Sequence, residues 1–159
     1  MCKALYIEDE KTAFVLTIMD ELKKRGIVCK FQYWGKAAEN ARVDNEISFE
    51  KLYEKLEMKS FDLLILDVMM PTEGLKGTQE GYLTGMILHK KLLGKVPEII
   101  ELKTFFITSL PANEEDNESY YKQVKDYVEE DDTRRFLYPK DDAIELAEKI
   151  KKVLSGSEA

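Results

Sequence analysis

Leu63-Leu64-Ile65-Leu66 are four consecutive large apolar residues with no polar residue between them. A strand that alternates buries one face; one that does not alternate must bury both, as a central strand of a parallel sheet does. The run closes on a single acid, Asp67, and Pro71 then forbids further ladder pairing. An ionised carboxylate is costly to bury, so Asp67 is expected where the strand leaves the core. In open α/β sheets that edge is also where ligands bind. A strand-ending Asp that only caps a turn reads the same way in isolation, so its partners decide the matter.

The rest of the chain supplies the other strands and their covering helices. Lys3 to Ile7 reads as a short strand ending abruptly in Glu8-Asp9-Glu10. Phe14, Val15, Ile18, Met19 and Leu22 form one stripe of a helix over residues 11 to 25, stopped by Gly26. Ile27 to Trp34 alternates, which predicts a half-exposed strand at a sheet edge. Residues 35 to 46 carry no clear pattern. Ser48 can cap a helix from Phe49 to about Met58.

After Pro71, Gly74 and Gly77 mark a loop, and Leu83, Met86, Ile87 and Leu93 line a helix over 81 to 93. His89 lies within it, where a structural role is the ordinary expectation. Gly94 and Pro97 are expected to break the chain. Lys103 or Thr104 to Thr108 reads as a fourth strand, residues 114 to 132 as an acidic helix, and Arg135 to Tyr138 as a fifth strand. Asp141 or Asp142 then caps a last helix carrying Ile144, Leu146, Ala147, Ile150, Val153 and Leu154.

Alternating strands and helices imply a parallel sheet covered on both faces. The expected fold is flavodoxin-like: a doubly wound α/β domain whose five parallel strands run in the order 2-1-3-4-5. With 159 residues the chain is long enough for one such domain. Residues 1–155 are read as that domain and 156–159 as a short tail.

Composition excludes several classes. The net charge of −7, with Lys and Arg scattered, argues against a nucleic-acid surface. No apolar run approaches the ~20 residues a membrane span needs. No signal peptide is read before the first strand. Cys2 and Cys29, the two cysteines, lack metal or redox spacing. A cytoplasmic protein, monomeric or weakly dimeric, is the simplest expectation.

In a parallel sheet the residues just past each strand gather on one rim: Glu8, Asp9 and Glu10, then Asp67, then Thr108 and Ser109, then Lys140. Adjacent acids repel, so either something cationic offsets that or they splay into water. Hard oxygen ligands without His or Cys suit Mg²⁺, which takes one or two carboxylates and keeps its waters. Asp9 and Asp67 would suffice, with Glu8 holding a coordinated water. A carboxylate can act as a phosphoryl acceptor, and Lys140 and Thr108 are the cation and hydroxyl available for the phosphoryl oxygens.

Three segments resemble the receiver domain of two-component response regulators: Ala4-Leu5-Tyr6-Ile7-Glu8-Asp9-Glu10, Asp62-Leu63-Leu64-Ile65-Leu66-Asp67-Val68-Met69-Met70-Pro71, and Phe106-Ile107-Thr108-Ser109. The resemblance implies Asp67 as phosphoacceptor, Glu8 and Asp9 as the acidic pair, Thr108 as the switch hydroxyl, and the backbone carbonyl of Met69 as a further metal ligand. It implies a histidine kinase or phosphotransfer protein as donor and a downstream protein partner. Such a chain is not an enzyme beyond its own phosphorylation and dephosphorylation. Two features depart from the family: Pro139-Lys140 reverses its usual Lys-Pro order, and the loops around residues 35–48, 72–80 and 94–103 are long. Phe136 is a candidate aromatic switch.

The alternative is a receiver-like interaction module that is never phosphorylated. A Mg²⁺-dependent phosphohydrolase would want an acid two residues after the nucleophile, where this chain has Met69. Gly74-Leu75-Lys76-Gly77-Thr78 is not a phosphate-binding loop and does not sit at a strand-to-helix turn.

Overall fold

A computed structural model describes residues 2–34, 42–43, 46–47, 61–72, 75–95, 102–110 and 119–156. Five strands form one all-parallel sheet: β1 (Cys2–Glu8), β2 (Ile27–Tyr33), β3 (Leu63–Asp67), β4 (Lys103–Thr108) and β5 (Arg135–Pro139). Their order is β2-β1-β3-β4-β5, the 2-1-3-4-5 arrangement read from the sequence. A separate two-residue antiparallel pair joins Arg42–Val43 to Glu46–Ile47. The helix expected from Phe49 to Met58, with its Ser48 cap, lies outside the described residues.

Burial follows the strand patterns. Leu64 and Leu66 of β3 join one core cluster and Leu63 and Ile65 the other, so both faces of the strand are covered. Helices α1 (Ala13–Lys24) and α4 (Ala143–Leu154) cover one face. Helices α2 (Thr84–Lys95) and α3 (Tyr120–Glu129) cover the other. The edge strand β2 leaves Val28 exposed, as its alternation predicts, and also Tyr33 at its end, on the face that the alternation turns inward.

Helix boundaries follow local chemistry. Thr12, Ser119 and Asp142 accept from backbone N–H groups at the starts of α1, α3 and α4. Helix α2 begins at Thr84, three residues later than its apolar spacing suggests. Gln79, Glu80 and Gly81 all have positive φ, which no right-handed helix accommodates. The helix also runs through Gly94 to Lys95. A single glycine weakens a helix by ~1 kcal/mol and does not break it. Helix α3 ends at Glu129 because the turn into β5 takes over, with the Arg134 and Arg135 N–H groups both donating to the Asp131 carbonyl. Residues 114–118, expected to be helical, lie outside the described residues.

Candidate functional site

Register alone brings the acids together. β1 pairs Ile7 with Leu66 of β3, so the next residues, Glu8 and Asp67, leave the sheet side by side. β3 pairs Asp67 with Ile107, and β4 pairs Thr108 with Pro139. The ends of β1, β3 and β4 therefore bring Glu8, Asp67 and Thr108 to one rim.

One carboxylate oxygen from each of Glu8, Asp9 and Asp67 lies within 4.8 Å of the others. Glu8 is fully buried and Asp67 is 2% exposed, whereas Asp9 is half-buried. Lys140 reaches into this group despite following Pro139. Its backbone N–H donates to the Thr108 carbonyl at 2.8 Å, which fixes the residue against β4. Its Nζ then lies 2.5 Å from Glu8 Oε1 and 3.7 Å from Asp67 Oδ2. The long, flexible stem spans the one-residue shift that Pro139 introduces, and it passes over the Phe14 ring.

The electrostatics are unbalanced. Burial, then the neighbouring Glu8 carboxyl, pushes Asp67 well above the usual carboxylate range, against the opposing pull of Lys140. Burial and then Glu8 raise Asp9 as well. Burial works against the charge on Lys140, but Asp67 and Glu8 outweigh it and hold the ammonium above its ordinary value. When all three carboxyls are ionised, one ammonium leaves two negative charges in excess.

Two carboxylate oxygens, Glu8 Oε2 and Asp67 Oδ1, are buried with no hydrogen-bond partner among the described residues. Unsatisfied buried oxygens are rare enough to need an explanation. A divalent cation fits on both counts: it would cancel the excess charge, and the all-oxygen donor set suits Mg²⁺.

Thr108 is at the rim and buried, but its hydroxyl does not touch the carboxylates. Its Oγ1 accepts from the Leu110 N–H at 2.9 Å. Ser109 Oγ donates to the Met69 sulfur at 3.3 Å. Phe136 is not placed to act with Thr108. It pairs with Phe105, stacks on that ring at 5.1 Å, and joins the α1/α4 core. Leu137, one register step on, lies on the Thr108 side of the sheet. Because side chains alternate, an aromatic residue at 136 serves the opposite face.

Sequence reasoning missed the residues that hold the loop after Asp67. The Val68 carbonyl accepts from the Gly85 N–H at 2.9 Å, and the Met70 N–H donates to the Gly81 carbonyl at 3.2 Å. Thr84 Oγ1 donates to the Met70 carbonyl at 2.7 Å, and Trp34 Nε1 to the Pro71 carbonyl at 2.8 Å. A Cβ at Gly85 would lie 2.1 Å from the Asp67 carbonyl oxygen. The signal was a glycine in the first turn of a helix, which often marks a close backbone approach.

No protein-family model matches the sequence, and no curated protein matches it. Solved structures do. A response regulator from Thermotoga maritima is 15% identical, with 98% of each chain covered and a TM-score of 0.58. A chain from the complex of the histidine kinase ThkA with the response regulator TrrA is 20% identical over 97% of this chain and 99% of that one, with a TM-score of 0.57. RcsB from Salmonella enterica serovar Typhimurium, solved bound to a promoter, is 17% identical over 98% of this chain and 67% of that one, at a TM-score of 0.57. The chain has the flavodoxin-like fold of a response-regulator receiver domain. No helix among the described residues is long and apolar enough to cross a membrane.

Proposed function

We propose that this chain is a phosphoacceptor receiver domain of a two-component system. The observation that carries the reading is the rim itself: Glu8, Asp9 and Asp67 within ligand distance of one another, two of their buried oxygens unpartnered, and Lys140 against two of the three.

In this reading an Asp67 oxygen attacks the phosphorus of a phosphohistidine on a kinase or phosphotransfer protein. The O–P bond forms as the P–N bond breaks, and the imidazole leaves. Glu8, Asp9, Asp67 and the Met69 backbone carbonyl are the groups that would hold Mg²⁺. Among the described residues the carbonyls of Val68, Met70 and Pro71 each accept a hydrogen bond and that of Met69 does not. When bound, the ion supplies positive charge beside the phosphoryl oxygens. Lys140 is already at the acceptor carboxylate and supplies a second cation. Thr108 would exchange its bond with the Leu110 N–H for one to a phosphoryl oxygen, which carries the change into β4.

The output is a protein contact, not turnover of a substrate. Residues 1–155 act as one domain, in the cytoplasm, as a monomer or weak dimer, and without nucleic acid, in keeping with the net charge of −7. The rival reading, an interaction module that is never phosphorylated, drew on the Pro139-Lys140 order and on the long loops. The contacts of Lys140 with both acids weigh against it.

Incubation with Mg²⁺ and a small phosphodonor such as acetyl phosphate tests the reading. A hydroxylamine-sensitive phosphoryl adduct on wild type, absent from Asp67→Asn and from metal-free protein, is the expected result. No adduct on wild type would sink it.

A further inference from the structure

The loop from Val68 to Pro71 is hung from three other parts of the chain. Gly85 and Thr84, the first turn of α2, hold the Val68 and Met70 carbonyls. Gly81 holds the Met70 N–H. Trp34, just past β2, holds the Pro71 carbonyl through its indole. The Trp34 backbone N–H donates at 2.9 Å to the carbonyl of Glu8, so this one residue ties the acid of β1 to the loop of β3.

These side chains do more than core filling requires. Pro71 is exposed, so water could satisfy its carbonyl without help. An aliphatic residue would fill the space of Trp34 without placing a donor there. Thr84 is fully buried at a helical position, where an aliphatic residue would pack without a hydroxyl. Both donors are aimed at adjacent carbonyls, those of Met70 and Pro71, while the Gly85 N–H holds that of Val68, and the carbonyl left without a donor among the described residues is that of Met69.

We propose that Thr84 and Trp34 are positioning residues for a divalent-ion site, fixing the Met70 and Pro71 carbonyls so that the Met69 carbonyl remains available as a ligand beside Glu8, Asp9 and Asp67. The inference rests on the acidic rim being such a site and adds residues to it that share no motif with the rim acids. Outer groups of this kind set ligand orientation, and losing one weakens metal affinity by about 10-fold to 100-fold.

The test uses the whole chain with Mn²⁺, a spectroscopically visible substitute for Mg²⁺. Thr84→Val keeps the shape and removes the donor; Thr84→Ser keeps the donor. Trp34→Phe keeps a ring and removes the indole N–H. Electron paramagnetic resonance gives the Mn²⁺ affinity of each. Thr84→Val and Trp34→Phe should bind about tenfold more weakly than wild type, and Thr84→Ser should recover most of the loss.

A second readout needs no metal. Trp34 is the one tryptophan of the chain, so its indole N–H gives a single proton resonance. Its exchange with solvent should be faster in metal-free Thr84→Val, because the two donors hold one loop. Wild-type Mn²⁺ affinity in Thr84→Val, or an unchanged indole exchange rate, would overturn the inference. A wild-type chain that binds no Mn²⁺ would overturn the reading of the rim as an ion site and the positioning role with it. The metal-free indole exchange then tells whether the frame itself exists.

Discussion

Two buried polar clusters hang from the same strand, β4, four residues apart on one face, and they differ in almost every physical respect. Thr104 anchors the lower one and Thr108 sits at the upper one. In the lower cluster His89 Nδ1 lies 2.6 Å from the Tyr127 hydroxyl and Nε2 lies 3.4 Å from Thr104 Oγ1. One neutral tautomer satisfies it all: Tyr127 donates to Nδ1, Nε2–H donates to Thr104, and Thr104 donates to the Leu102 carbonyl. Arg135 and Lys90 lie over the Tyr127 ring, at 4.2 Å and 5.0 Å from its centroid. The upper cluster keeps excess charge and unpartnered oxygens in an equally buried place. A satisfied neutral network stabilises a fold, whereas an unsatisfied charged one destabilises it until something binds. The contrast marks which buried polar group holds α2 and α3 to the sheet and which, in the proposed reading, takes a ligand.

The clusters should therefore titrate in opposite senses, and that is the largest expected effect. Burial, and then the charge of Arg135, lower His89 from 6.5 to about 3, with Asp131 opposing. The unfolded chain takes up this proton below 6.5 and the folded chain does not until about 3. Stability from His89 is thus complete above the upper value and lost as pH falls between the two, with a slope of up to about 1.4 kcal/mol per pH unit. Asp67 is raised, so its contribution runs the other way: present in acid and lost as pH rises through its folded value. Urea unfolding of metal-free protein between neutral pH and about pH 4 measures the sum. His89→Gln should flatten the acid-side loss. An unchanged acid limb in that variant would break the comparison at its lower half.

Gly85 comes next, where α2 meets the upper cluster. Its substitution by Ala drives a Cβ into the Asp67 carbonyl and to 2.9 Å from the Val68 Cα, both backbone atoms that cannot swing away. A loss of about 3 kcal/mol is expected from denaturant midpoints. Gly94, at the other end of α2, has nothing within 4 Å of an added Cβ. Gly94→Ala should stabilise by roughly 0.5–1 kcal/mol, so the pair isolates close approach from helix propensity. Tyr127→Phe follows. It keeps the edge-to-face contact with Phe106 at 6.0 Å and leaves His89 Nδ1 without its donor. A loss of about 1–3 kcal/mol is expected, with no change in ion binding.

Sequence made the upper cluster far more legible than the lower. The rim is built from strand ends, and strands announce themselves: Leu63 to Leu66 cannot alternate, Asp67 and Pro71 cannot continue them, and parallel topology gathers the ends. The 2-1-3-4-5 order followed from the same logic, with half-exposed β2 at the edge. Lys140 was legible by type but not by reach, since a one-residue shift after Pro139 is decided by a flexible stem. The lower cluster was hidden because His89, Thr104 and Tyr127 are brought together by helix packing angle, which no spacing encodes. The same holds for Trp34 and Thr84, whose partners are backbone carbonyls and so carry no residue identity. The face of Phe136 turns on a single register step, and one step moves a side chain through the sheet.

A small expected effect discriminates best between the two clusters. Asp67→Asn removes one buried negative charge and leaves the Lys140 contact with Glu8 in place. In metal-free buffer near neutral pH the variant should be more stable than wild type, by about 1 kcal/mol, because the charge it removes is in excess. An equivalent loss at the lower cluster has the opposite sign, since nothing there is in excess. Saturating Mg²⁺ should then reverse the order. Wild type gains RT ln(1 + [L]/Kd), about 2.7 kcal/mol when free ion is 100 times Kd, and the variant gains less. Thermal unfolding of both proteins with chelator and with Mg²⁺ reads the crossing directly. Parallel shifts, or a variant less stable than wild type without metal, would mean that the buried acids are already balanced within the chain.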